Sequence, residues 1–121
     1  MSEQNKATLE KANRAITQGD YDGFLSYCTD DTKWTFVSEK TLKGKAAVRK
    51  WMSSSYQEPP IFTVTELIAE GDLVTALGNM IMKNKNGKSE EYAYCDVWRF
   101  RDGKMAELKA FVIKIQAEPK S

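Results

Sequence analysis

From Ile61 to Gln116 the apolar residues recur with a period of two. Three turn dipeptides interrupt the run: Gly71-Asp72, Asn86-Gly87 and Asp102-Gly103. A period of two is the signature of a strand with distinct faces, and Gly next to Asn or Asp marks a tight reversal. The pattern predicts four consecutive strands, Ile61–Glu70, Leu73–Lys85, Lys88–Arg101 and Lys104–Gln116, folded as an antiparallel meander. Asn86-Gly87 is the strongest hairpin signal, because both central residues of a type I′ turn need positive φ. Strands of this length need a cover for their apolar side, and the first sixty residues supply it.

Leu9, Ala12 and Ile16 fall at helical spacing before Gly19, which predicts a helix over roughly residues 3–18. Asp20 can cap a second helix, whose apolar stripe is Tyr21, Phe24, Leu25 and Cys28. Thr29-Asp30-Asp31 breaks it. Lys33 to Val37 reads as a short strand with Trp34 and Phe36 on one face, and Lys40 to Lys43 as a polar loop. A third helix over about residues 45–55 carries Val48, Trp51, Met52 and Ser55 on one side and stops at Glu58-Pro59-Pro60. Ala117 to Ser121 reads as a frayed tail. Helices ahead of a meander define an α+β layered fold, a single domain over residues 1–121. Three N-terminal helices over a curved, mainly antiparallel sheet enclose a cone, whose mouth is a natural small-molecule pocket.

The strand before Asp102-Gly103 puts Tyr92, Tyr94, Asp96, Trp98 and Phe100 on one face. A lone carboxylate in an aromatic row is disfavoured in its charged form, so its pKa rises. Two readings follow. Asp96 is a proton donor or hydrogen-bond anchor facing the pocket, or it accepts bonds from a nearby indole, phenol or amide and only fixes the sheet. Tyr94 can orient a ligand beside it, and Tyr92 suits the rim. Trp34 and Phe36 from the early strand, with Met52 and Tyr56 from the third helix, form an apolar wall. These same aromatics could instead fill the cone. If the Leu77-Asn79-Ile81 side of the second long strand faces inward, Asn79 is a second polar group in the pocket and Ile81 part of its wall. The opposite side, Val74, Ala76, Gly78, Met80 and Met82, is apolar as well. A sheet apolar on both faces needs an outer cover, and a homodimer through the sheet is expected.

Several classes of chemistry are excluded or disfavoured. With 18 basic and 17 acidic residues the net charge is +1, too little for a strong electrostatic grip on nucleic acid or an anionic membrane. The densest basic run, Lys40 to Lys50, reads as a solvated helix flank. There is no histidine, hence no His base, no Ser-His-Asp or Cys-His arrangement, and no His-based zinc site. No metal and no cofactor is expected. Cys28 and Cys95 read as buried reduced thiols. The polar start, Met1 to Lys6, and the lack of an 18-residue apolar run lead to the expectation of a cytoplasmic protein.

Gly19-Asp20-Tyr21, Tyr27 through Asp31, Gly44 to Arg49, and Cys95 to Phe100 with Asp102 to Met105 occur in an order and spacing that resemble the NTF2-like superfamily. Within it, the SnoaL-like and ketosteroid-isomerase-like proteins are the most similar. The resemblance spans about residues 8–115 and implies the cone fold, while the superfold hosts isomerases, cyclases, hydrolases and non-catalytic modules. In Asp96-Val97-Trp98-Arg99-Phe100, Asp96 matches the strand acid that donates a hydrogen bond to an oxyanion in the steroid isomerases. Their general base corresponds to Phe36 and their oxyanion tyrosine to Ala12, neither of which can do that work. The resemblance thus implies a SnoaL-like protein binding a small, largely apolar molecule in the cone. It is either capable of cofactor-free acid/base chemistry of isomerase, cyclase or hydrolase type, or a non-catalytic dimeric association module with a filled cone.

Overall fold

The computed structural model describes residues 2–56, 58–84 and 86–115. The expected tail Ala117 to Ser121, the strand end at Gln116 and the strand end at Lys85 lie outside the described residues. The elements run α1 (Ser2–Thr17), α2 (Tyr21–Leu25), β1 (Cys28–Phe36), β2 (Lys40–Lys43), α3 (Lys45–Ser55), β3 (Ile61–Glu70), β4 (Leu73–Lys83), β5 (Ser89–Arg101) and β6 (Lys104–Lys114). One six-stranded sheet has the order β2-β1-β6-β5-β4-β3. All neighbours are antiparallel except β1 and β6, which run parallel. The three helices and the mainly antiparallel sheet are the α+β cone that the sequence predicts.

Local chemistry explains the helix ends. Asp20 accepts a hydrogen bond from the Gly23 amide at 2.9 Å and starts α2. That helix stops at Leu25, earlier than its stripe suggests. The Tyr27 amide turns back to the Phe24 carbonyl, and the Met105 amide takes the Tyr27 carbonyl at 2.8 Å. Pairing with β6 therefore captures Cys28 as the first residue of β1 and overrides the helical spacing. β1 is correspondingly longer than expected. Its polar segment Asp30-Asp31 is tied on the surface, Asp30 to Lys45 at 3.4 Å and Asp31 to Arg101 at 2.6 Å. Lys40 to Lys43, expected as a loop, is an edge strand paired with β1 from Lys33↔Lys43 to Phe36↔Lys40. Backbone pairing, not side-chain pattern, makes that strand.

Two of the three sequence-predicted turns close in different ways. Asp102 (φ 53°) and Gly103 (φ 79°) both have positive φ and join the facing residues Arg101 and Lys104, as a two-residue type I′ turn requires. At the Asn86-Gly87 hairpin, Gly87 has positive φ. There the Asn84 amide bonds the Lys88 carbonyl, and the Asn84 carboxamide oxygen accepts from the Asn86 and Lys88 amides. The loop is longer than two residues because the Asn84 side chain supplies its closure.

Register shifts between Cys28 and Lys33, Val64 and Glu66, and Arg99 and Phe100 bend the sheet. At the second of these, β3 lies so close to β4 that a Cβ on Gly78 would collide with the Thr63 carbonyl. The concave face closes over a core of Leu9, Ile16, Phe24, Trp34, Val48, Met52, Trp98 and Met105. Burial of this apolar area dominates the stability. No helix among the described residues is long and apolar enough to cross a membrane.

Candidate functional site

Cross-strand register builds the site. On the concave face Leu67, Ala76, Asp96, Ala110 and Phe36 form one row across β3, β4, β5, β6 and β1. Neighbouring strands are about 4.8 Å apart, so the residues flanking Asp96 decide whether there is room above it. Both flanking residues are alanine. The next rows carry bulk: Trp98 with Leu108 and Trp34 on one side, Tyr94 with Val112 on the other. The result is a hollow over the carboxyl, a cavity of about 200 Å³ whose wall includes Asp96, Ala76, Ala110, Trp34, Phe36, Tyr56 and Tyr94.

The wall is a network of aromatic rings. Trp34 meets Trp98 edge-on at 5.6 Å between centroids and Trp51 at 6.3 Å. Trp51 also packs on Phe36 at 4.7 Å and on Tyr56 at 5.3 Å, and Phe62 stands against Tyr94 at 5.8 Å. Edge-to-face contacts of this kind add to area burial and keep the rings from collapsing into the hollow.

Three polar groups deep in this wall lack hydrogen-bond partners among the described residues. The Trp34 indole nitrogen and the Tyr94 hydroxyl are buried without a hydrogen-bond partner. Burial pushes the Asp96 carboxyl from 3.8 up to about 7, with no hydrogen bond or nearby cation to offset it. Asp96 is nonetheless only half-buried, because the cavity reaches it while protein surrounds it elsewhere. Burial, with the Asp96 charge adding to it, also raises the Tyr94 hydroxyl to about 12 and the Tyr56 hydroxyl well above its usual value. Near neutrality the wall therefore presents a neutral phenol, an indole N–H and a carboxyl that keeps its proton to a far higher pH than an exposed one.

The structure brings together Asp96, Tyr94, Trp34, Phe36 and Tyr56. It does not bring Met52, Asn79 or Ile81 to the cavity. Met52 is fully buried in the core, and Trp51, its neighbour on α3, forms the wall instead. Asn79 lies on the opposite face of the sheet, paired with Ala93 and reaching Glu91 at 3.5 Å. Ile81 is 40% exposed on that same outer face. The inward side of β4 is the other one, with Ala76 and Met80 at the cavity, because Gly78 must lie on the face the bulged β3 approaches. Tyr92 stands at the rim and donates to Glu90 at 3.0 Å.

Asn13 and Phe62 also line the cavity. Asn13 had a readable signal: Leu9, Ala12, Asn13 and Ile16 are i, i+3, i+4 and i+7, so a polar residue occupies the inward stripe of α1. Of the cysteines, Cys28 is fully buried and its thiol is pushed up to about 12 by that burial, while Cys95 sits between Leu77 and Phe111 on the outer face.

A cone of three helices on a bent sheet, with one acid on its inner floor, is the NTF2-like architecture. Residues 9–108 match the SnoaL-like domain family, and the chain belongs to that family. No curated protein matches it. Among solved structures, an NTF2-like protein of unknown function from Burkholderia pseudomallei superposes with a TM-score of 0.80 at 23% identity, covering 91% of this chain and 90% of its own. TerC, crystallised with polyporic acid, gives 0.78 at 19% identity, with 89% and 90% covered. Bal32a, from a soil-derived mobile gene cassette, gives 0.79 at 16% identity, with 92% and 90% covered. At these identities the likeness is one of fold.

Proposed function

We propose that this SnoaL-like protein is cytoplasmic and binds a small, largely apolar molecule, of about one ring, through an oxygen atom that faces Asp96. The observation that carries this reading is a set of unpartnered groups on a largely apolar, aromatic-rich wall: the Trp34 N–H, the Tyr94 O–H and the Asp96 carboxyl. Leaving buried donors unsatisfied costs roughly 1–3 kcal/mol each, a cost that a ligand oxygen relieves. An apolar cavity of about 150 Å³ holds a benzene-sized molecule, so about 200 Å³ suits a single substituted ring. The chemistry available to Asp96 is donation, either as a general acid or as a hydrogen-bond donor to a developing oxyanion. This fits an isomerase-, cyclase- or hydrolase-like step that needs no cofactor. Phe36, at the position that resemblance gives to a general base, offers no proton acceptor.

A thermal-shift screen of ring-sized, oxygen-bearing compounds at pH 6, run in parallel on Asp96→Ala, tests the reading. A ligand at one hundred times its dissociation constant stabilises by about 2.7 kcal/mol. Compounds that raise the midpoint only in the parent protein support the site. Shifts equal in both proteins, or absent from both, refute it.

A second reading has its own observation. The cavity is smaller than the ~300 Å³ at which ordinary ligand pockets begin. The outer sheet face, meanwhile, exposes Ile61, Ile81, Phe111 and Ile113. On this reading the protein is a non-catalytic association module, dimeric through that face. The dimer is compatible with both readings, and the ligand screen separates them.

A further inference from the structure

A second hollow, of about 480 Å³, lies between the C-terminal half of α1 and β3. It shares two wall residues, Asn13 and Phe62, with the Asp96 cavity. Phe62 is half-buried, on an edge strand, with its ring against Tyr94. It therefore stands between the two spaces. The outer hollow is an open groove with a mixed wall. Arg14 faces two carboxylates, Glu10 and Glu66, while Thr17 and Gln18 offer uncharged hydrogen bonds and Val64 and Leu67 are apolar.

We propose that this groove is the outer half of the same binding site. The ligand then consists of a single oxygen-bearing ring, held in the Asp96 cavity, and an uncharged chain ending in a hydrogen-bonding group. That chain passes Phe62 and lies between α1 and β3. The proposal rests on the reading of the Asp96 cavity as a ligand site. With Glu10 and Glu66 against Arg14, the groove carries a small net negative charge and selects against an anionic tail. Val64 and Leu67 suit methylenes, and Asn13, with both a donor and an acceptor, marks the passage between the two halves.

The test compares phenol with 4-(ω-hydroxyalkyl)phenols of increasing chain length, by calorimetry at pH 6. Thr17→Trp and, separately, Gln18→Trp plug the groove at exposed positions, the last of α1 and the first after it, that leave the core intact. The expected result is Asp96-dependent binding of phenol, with affinity rising about tenfold once the chain reaches the groove. Either plug cancels that gain and leaves phenol affinity unchanged. Phenol binding that depends on Asp96, but gains nothing from the chain or ignores both plugs, overturns the groove and spares the cavity. Failure of phenol and all its derivatives to bind, or equal binding by Asp96→Ala, overturns both.

Discussion

Among the described residues no hydrogen bond or cation compensates the burial of Asp96. Its carboxyl takes a proton at about 7 in the folded chain and at about 3.8 unfolded. Between these values the folded state holds a proton that the unfolded state has released. Raising the pH from 4 to 7 therefore removes stability, and above 7 the loss stays constant. Its size is on the order of 2–4 kcal/mol, the lower end applying where cavity water solvates the anion. Asp96→Asn carries no such proton. The stability difference between Asp96→Asn and the parent should grow in favour of the variant from pH 4 to pH 7.5, and then level off. Urea unfolding at a series of pH values measures it, and a difference independent of pH would show that the carboxyl is solvated. The flanking alanines give a second prediction at the same spot. Ala110→Leu fills the hollow with apolar atoms, so ligand-induced thermal shifts should vanish while the fold persists, its own stability changing by less than about 1.5 kcal/mol. Retained ligand shifts in that variant would place the binding elsewhere.

The elements show why parts of the site could be read from sequence and others not. Alternation on β5 placed Tyr94 and Asp96 on one face, because that strand has polar and apolar residues in a fixed order. On β4 the same argument failed. Leu77, Asn79 and Ile81 are as apolar a set as Ala76, Gly78 and Met80, so the pattern carries no direction. Direction came from the bulge in β3, which presses its backbone onto Gly78, and bulges leave no periodic trace. On α3, adjacent Trp51 and Met52 share the inward arc, and only the position of β1 decides which of them meets the cavity. β2 is a polar edge strand created by pairing alone, invisible to a hydrophobic pattern. The Gly78 argument is testable. Gly78→Ala forces β3 off β4 at the bulge, and should cost roughly 3 kcal/mol in urea unfolding. The other strand glycine-free positions offer no such control, so Ala76→Gly, on the same strand, is the comparison, at about 1 kcal/mol. Equal losses would mean that the bulge is free to relax.

For the molecule as a whole, the concave face is covered by helices, and among the described residues no element covers the convex face. Across that outer face Ile61 lies beside Ile81, Ala93 beside Ile113, and Leu77, Cys95 and Phe111 form a row. Ile113 is 69% and Phe111 43% exposed. A contiguous apolar surface over several strands marks an interface. A second copy suits it best: the row from Leu77 to Phe111 can oppose itself about a two-fold axis, polar Asn79, Glu91 and Lys109 ring it, and a net charge of +1 gives little repulsion. The expected outcome is a dimer by light scattering at tens of micromolar. Ile113→Glu introduces a charge at the centre of the interface without touching the core, and should yield a folded monomer. Because the Asp96 cavity opens on the other side of the sheet, that monomer should keep its ligand-induced thermal shift. A parent chain that is monomeric at these concentrations would refute the interface. Loss of ligand binding together with the dimer would instead show that the two faces communicate through β5, the strand that carries Asp96 inward and Cys95 outward.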